Sequence, residues 1–313
     1  MKHAHQQPIS RRQLLAYTGA LSSAAVLAAC AAPMLVVQPE TIASEGQLSE
    51  QGENNMLRRN NSEKPIIVLV HGAFAESSSW DEVIPQLQEQ GYTTIAAANP
   101  LRSLSGDAEF VASIINNLEA PVVLVGHSYG GSVITKAAML NEMVSEKVKA
   151  LVYVAAFAPE VGENAITLSS RFPGGTLGEA LWPIPLADGS TDLYIQWDKF
   201  HHQFAADVAV DKTMIMAATQ RPVRDVALGE DFSGTPAWKS IPSWFILPEL
   251  DLNIPLAVHR FMAERAQAQE VVEVQGASHA ISVSHPGEVA DIILHAVASV
   301  EPLLYNVEDF YVA

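Results

Sequence analysis

The sequence predicts an α/β domain: a mostly parallel sheet flanked by helices, with a helical cap inserted before the strand that carries an acidic residue. Three observations carry this. Short apolar runs rich in β-branched residues, Ile66-Ile67-Val68-Leu69-Val70 and Val122-Val123-Leu124-Val125, have the composition of strands covered on both faces. Segments with apolar residues at helical spacing alternate with such runs, and strand then helix at this rhythm calls for parallel strands with crossover helices. From Phe157 to about Ser240 the rhythm stops for 84 residues, too long for a bare loop in a compact domain.

In chain order, the Ile66 strand is followed by a helix over 80–90 with Trp80, Val83, Ile84 and Leu87 on one face, ended by Gly91. Thr94–Ala98 is the next strand. Residues 104–118 form a helix through Phe110, Val111, Ile114 and Ile115, and Pro121 opens the Val122 strand. A helix over 129–143 and a strand over 150–156 lead into the irregular segment, whose weak helical patterns lie near 200–207 and 211–219. The alternation resumes with a strand at 241–247, a helix at 256–268, a strand at 271–274 and a closing helix at 286–300.

Composition narrows the function. The formal charge of −17, with no basic cluster, argues against nucleic acid as a partner. The one cysteine, Cys30, lies outside the domain, so neither a thiol catalyst nor a disulfide framework is expected there. Arg11-Arg12 precedes an apolar stretch running to Ala29 that is short for a bilayer span. The pair resembles a twin-arginine export signal, and Leu27-Ala28-Ala29-Cys30 resembles a lipobox. The expected plan is an export or lipoprotein signal peptide over 1–30 with Cys30 as lipidation site and a flexible polar linker over 31–63. The domain follows over 64–300 with its cap at 157–240, then a tail over 301–313. It implies an exported protein of the cell envelope or periplasm, lipid-anchored to the membrane. A plain secretory peptide cleaved near Ala32 and an uncleaved or accidental segment are the alternatives.

The chemistry gathers where strands end, as expected for parallel sheets. Gly126-His127-Ser128-Tyr129-Gly130 is G-x-S-x-G between a strand and a helix, a turn that leaves Ser128 alone at the tip beside free helix N–H groups. A serine hydroxyl needs a base to become a nucleophile. His279, in the Gly/Ser-rich loop after the last strand, is the candidate base, and Asp251, after the preceding strand, is the candidate acid that orients it. Glu249 is the rival acid in the same loop. Gly72 after the first strand lets its loop turn with amides inward, so the N–H groups of Ala73 and Tyr129 are candidate oxyanion donors, with Phe74 the alternative to Ala73. His71 is read as a packing and hydrogen-bonding residue beneath the site. Phe74, Phe157, Phe172, Trp182, Trp197, Phe204, Met214 and Met216 are candidates for an apolar pocket between cap and sheet, suited to an acyl or aromatic substrate. His201, His202 and His285 lack grouped carboxylate or sulfur partners, so no metal and no cofactor is expected.

The motifs Val68-Leu69-Val70-His71-Gly72-Ala73-Phe74, Val125-Gly126-His127-Ser128-Tyr129-Gly130-Gly131 and Gly276-Ala277-Ser278-His279-Ala280 resemble the α/β-hydrolase superfamily. The resemblance is nearest to small bacterial esterases related to plant methylesterases and hydroxynitrile lyases, and it spans about Pro65 to Val300. It implies an esterase triad of Ser128, Asp251 and His279 beneath a cap. Leu252 departs from the basic residue many relatives carry after the acid. Hydroxynitrile lyases of this group have a lysine after the histidine, where this chain has Ala280, and dehalogenases have an aspartate at the position of Ser128. The expected function is a carboxylesterase cleaving small or medium apolar esters through an acyl-serine, with no partner beyond that substrate and the membrane. The alternatives are a cofactor-free haloperoxidase or perhydrolase with the same triad, and a non-catalytic small-molecule binding protein.

Overall fold

The computed structural model describes residues 64–300. The expected signal peptide, the Cys30 lipidation site, the 31–63 linker and the 301–313 tail lie outside the described residues. Among the described residues no helix is long and apolar enough to cross a membrane. The longest, Pro286–Val300, has 15 residues, against the roughly 20 a span requires. The expectation of a membrane-anchored protein with a signal peptide is therefore corrected: among the described residues no apolar helix supports it.

Strands β1 (Ile66–Val70), β2 (Thr94–Ala97), β3 (Val122–His127) and β4 (Val148–Val154) precede the insertion. Within it lie β5 (Leu181–Pro185), β6 (Thr191–Ile195) and β7 (Val223–Arg224), and β8 (Ser243–Pro248) and β9 (Glu270–Val274) follow. The central sheet has the order β2-β1-β3-β4-β8-β9, and every pairing in it is parallel. Its strands β1 and β3 read as apolar runs because successive side chains feed opposite cores. Val68, Val70, Leu124, Leu151 and Phe245 enter one cluster, while Ile67, Leu69, Val123, Val152 and Ile246 enter the other.

The helices are α1 (Ile84–Glu89), α2 (Leu104–Asn116), α3 (Tyr129–Ala137), α4 (Glu142–Lys147), α5 (Ala165–Ser169) and α6 (Leu177–Ala180). They continue with α7 (Trp197–Phe204), α8 (Val210–Thr219), α9 (Asp225–Gly229), α10 (Leu256–Arg265), α11 (Ile281–Ser284) and α12 (Pro286–Val300). Several starts are written in local chemistry. Ser103 caps α2 by accepting from Gly106 N–H, Asn141 caps α4, and Asn164 and Thr167 form a reciprocal capping box on α5. α2, α3 and α10 share the first cluster, whereas α12 and Leu87 of α1 cover the other face.

The inserted segment is helical, with α5 to α9, and it also carries an antiparallel sheet, β5-β6-β7, that the sequence pattern concealed. Pro183 and Pro185 discourage a strand reading, yet β5 is an edge strand paired only with β6, where proline is tolerated. The β5–β6 connection closes through Leu186 N–H to Ser190 O at 2.8 Å, with Gly189 at φ 85°.

Candidate active site

Ser128 stands at the junction of β3 and α3 with φ 54° and ψ −123°, a conformation costly for a side-chain-bearing residue. The surroundings impose it. Ser128 N–H donates to Val154 O at 3.2 Å, and its carbonyl accepts from Gly131 N–H at 3.0 Å and Phe157 N–H at 3.1 Å. A Cβ on Gly126 would fall 2.7 Å from the Gly130 carbonyl carbon and oxygen, so the turn closes only over glycine. A Cβ on Gly130 would press on the Val70 carbonyl; the close approach that Gly130 permits is thus of α3 to β1, the neighbour of β3.

The ends of β3, β8 and β9 bring the three distant residues together. His279 Nε2 lies 2.9 Å from Ser128 Oγ and His279 Nδ1 lies 2.7 Å from Asp251 Oδ2. A carboxylate only accepts, so Nδ1 carries the proton and Nε2 is left to accept from the serine hydroxyl. Asp251 Oδ1 accepts from the backbone N–H groups of Asn253 at 2.7 Å and Ile254 at 2.9 Å. Oδ2 also accepts from His259 Nε2 at 3.0 Å. Burial by itself pushes the Asp251 carboxyl up, but the charge and hydrogen bonds of His279 and His259 outweigh it and hold the group well below the usual carboxylate range. Glu249 is turned elsewhere: its carboxylate accepts from Gly276 N–H at 2.8 Å and braces the turn after β9. Glu249→Gln should therefore leave kcat on an ester substrate within about twofold; a loss as large as that of Asp251→Asn would move the acid role to Glu249.

Two histidines beneath the site are kept neutral. Burial, then the charge of His279, pushes His127 down to about 3, while its Nε2–H donates to the His279 carbonyl at 3.0 Å. Burial likewise takes His71 down to about 4. His71 Nδ1–H donates to Gly72 O at 2.9 Å, and its own carbonyl accepts from Asn99 Nδ2 at 3.0 Å. Neither competes with His279 for the serine proton near neutral pH.

The two oxyanion alternatives are distinguished by their bonding. Phe74 N–H already donates to Arg221 O at 3.1 Å, whereas the N–H groups of Ala73 and Tyr129 have no acceptor among the described residues. The Tyr129 ring is anchored by its hydroxyl, which donates to Asp107 Oδ2 at 2.9 Å.

A cavity of about 570 Å³ opens over Ser128 and His279. Phe74, Phe157 and Phe172 line it, as the sequence predicts, together with Ile166, Leu177, Leu181, Leu193, Leu228 and Ile254. Five predicted lining residues are corrected. Trp182 and Trp197 lie on the outer face of the cap, 45 % and 68 % exposed, packed edge to face with centroids 6.2 Å apart. Phe204 is buried behind the site, its ring 5.0 Å from that of His279. Met214 is also exposed, and Met216 lines a separate, smaller cavity. The aromatic content of the cap was a poor guide because exposed cross-strand pairs, such as Trp182 opposite Tyr194, need aromatics too.

Several bonds tie cap to catalytic loops. Besides Phe74 N–H to Arg221 O, Ala280 N–H donates to Phe204 O at 2.9 Å and Thr176 N–H to Leu252 O at 2.9 Å. Gln203 Nε2 donates to Leu252 O at 3.0 Å and Asn253 Oδ1 at 2.9 Å. Ser278 Oγ donates to Asp207 Oδ1. Sequence reasoning missed Thr176, Gln203, Asp207 and Arg221, and it missed His259. The signal for His259 was a polar residue on the apolar face of α10, between Val258 and Met262.

The chain is similar to known proteins in sequence and in fold. The model of a family described as "Alpha/beta hydrolase family" matches residues 67–292. The chain is 25 % identical to Esterase PIR7B of Oryza sativa subsp. japonica over 259 residues, 74 % of this chain and 96 % of that protein. It is 24 % identical to the alpha-hydroxynitrile lyase of Arabidopsis thaliana over 254 residues, 74 % of this chain and 96 % of that protein. In fold it is similar to the crystal structure of polyneuridine aldehyde esterase, with a TM-score of 0.64 at 20 % identity, covering 74 % of this chain and 99 % of that one. The chain belongs to the alpha/beta hydrolase family, as a hydrolase of the esterase type.

Proposed function

We propose that the protein hydrolyses small to medium apolar carboxylic esters with Ser128 as nucleophile, His279 as general base and Asp251 as its orienting acid. The observation that carries this is the continuous chain from Ser128 Oγ to His279 Nε2 at 2.9 Å and from His279 Nδ1 to Asp251 Oδ2 at 2.7 Å. Ser128 Oγ attacks the ester carbonyl as its proton passes to His279 Nε2. The oxyanion that forms is met by the N–H groups of Ala73 and Tyr129. Collapse expels the alkoxide, which takes the proton from His279 and leaves an acyl-serine. A water molecule, deprotonated by the same imidazole, then releases the carboxylic acid and restores Ser128.

The cavity supports the apolar substrate class. Its volume is in the range that accepts a drug-sized ligand, and no lysine or arginine lines it among the described residues, so an anionic acyl group meets no counter-charge. The residue after His279 is a buried alanine, Ala280, so no ammonium stands beside the imidazole there.

A series of p-nitrophenyl esters tests the class. From acetate to hexanoate kcat/KM should rise by about fourfold per added methylene while the chain is being buried, and a succinate half-ester should be poor. Preference for the charged acyl group would refute the apolar reading. Peroxide-dependent halogenation without ester cleavage would refute the esterase assignment.

A further inference from the structure

We propose that His259 is a positioning residue for this active site: its imidazole shares Asp251 Oδ2 with His279 and locks the carboxylate in the orientation that aims His279 at Ser128. The proposal rests on the triad reading above and extends it by a fourth group that does not touch substrate.

The Asp251 side chain is wholly buried, so no bulk water solvates its charge. All its stabilisation comes from placed donors: two backbone amides on Oδ1 and two imidazoles on Oδ2. The amides belong to Asn253 and Ile254 in the loop that carries the acid, and they fix one oxygen. The other oxygen is the one that His279 needs, and His259 reaches it from a different element. His259 lies on the core face of α10 with Val258, Met262 and Ala263, and it is fully buried. An imidazole placed there costs desolvation unless it is bonded. Its one bond within the described residues is to the triad acid, and its Nδ1 has no partner there. A proton on Nδ1 would be stranded, so the ring carries its proton at Nε2, facing the carboxylate. The bond thus spans from α10, which is anchored in the main core, to the loop after β8. It prevents the carboxylate from swinging away when His279 takes the serine proton. A residue that merely filled the core would need no such orientation.

His259→Leu removes the donor and keeps an apolar filling, whereas His259→Gln returns an N–H to nearly the same place. In full-length protein the Leu variant should lose about tenfold in kcat with KM unchanged, and the Gln variant should stay within about threefold of wild type. An unchanged kcat in the Leu variant overturns the proposal, as does an equal loss in both variants. The wild-type protein supplies a second measurement that does not depend on whether the Leu variant folds. In ¹⁵N-histidine NMR, His259 should show a protonated Nε2 and a bare Nδ1; a proton on Nδ1 overturns the proposal whatever the variants do. Fluorophosphonate labelling of unmodified protein separates the two readings: failure to label Ser128 sinks the triad, while labelling with a non-rescued His259→Leu sinks only the role of His259.

Discussion

Ser128→Ala should lower kcat by about a millionfold and abolish covalent labelling by a fluorophosphonate, while thermal unfolding remains cooperative and near the wild-type temperature. The separation of activity from stability follows from where the hydroxyl bonds. It makes no capping bond to α3; its partner is the imidazole of His279. The strained backbone at this position is held by the amide of Ser128 and by its carbonyl, groups that alanine keeps. Kinetics with a p-nitrophenyl ester, probe labelling and a melting curve on one preparation check all three parts. Residual turnover near wild type would show that another residue supplies the nucleophile.

Asp251→Asn should cost about 10⁴-fold in kcat, with KM little changed. The reason is tautomeric. An amide placed in that pocket either presents its NH₂ toward the two imidazole N–H groups or toward the two backbone amides that now bond Oδ1, and either choice opposes donor to donor. If His279 responds by moving its proton to Nε2, that nitrogen can no longer accept from Ser128. The same substitution should be visible in acid stability. The folded-state pKa of Asp251 is depressed below that of the unfolded chain. Its contribution is therefore present at pH above the unfolded value of about 3.9 and is lost as pH falls toward the folded value. Melting temperature measured from pH 6 down to pH 3 should fall less steeply in Asp251→Asn than in wild type; parallel curves would show that this carboxylate does not carry the acid sensitivity.

The meeting of Ser128, Asp251 and His279 was readable in the sequence because each lies in the turn or loop after a recognisable apolar strand, and parallel sheets gather such loops at one end. The choice of Asp251 over Glu249 was also readable in part, since Asn253 and Ile254, whose amides seat the carboxylate, belong to the turn leading into α10. The choice between Ala73 and Phe74 was not. It depends on Arg221, which is 147 positions from Phe74 in the sequence and meets it only through the docked cap. Cap residues were hard to assign for a related reason. Which of Trp182, Leu181 and Leu193 faces the cavity is decided by an antiparallel register hidden by two prolines, and a difference of one residue exchanges the inner and outer faces. His259 escaped notice because a histidine on the buried face of a helix has no pattern of its own; only the fold puts a carboxylate opposite it.

The bonds from the inserted segment to Phe74, Ala280 and Leu252 set a condition on molecular traffic. Were that segment to hinge away as one piece, it would uncouple the loop offering Ala73 and the loop bearing His279, dismantling the machinery at the moment a reactant arrives. The exposed glycines 174, 175 and 178 line the cavity beside Thr176, whose own amide belongs to that bracing set.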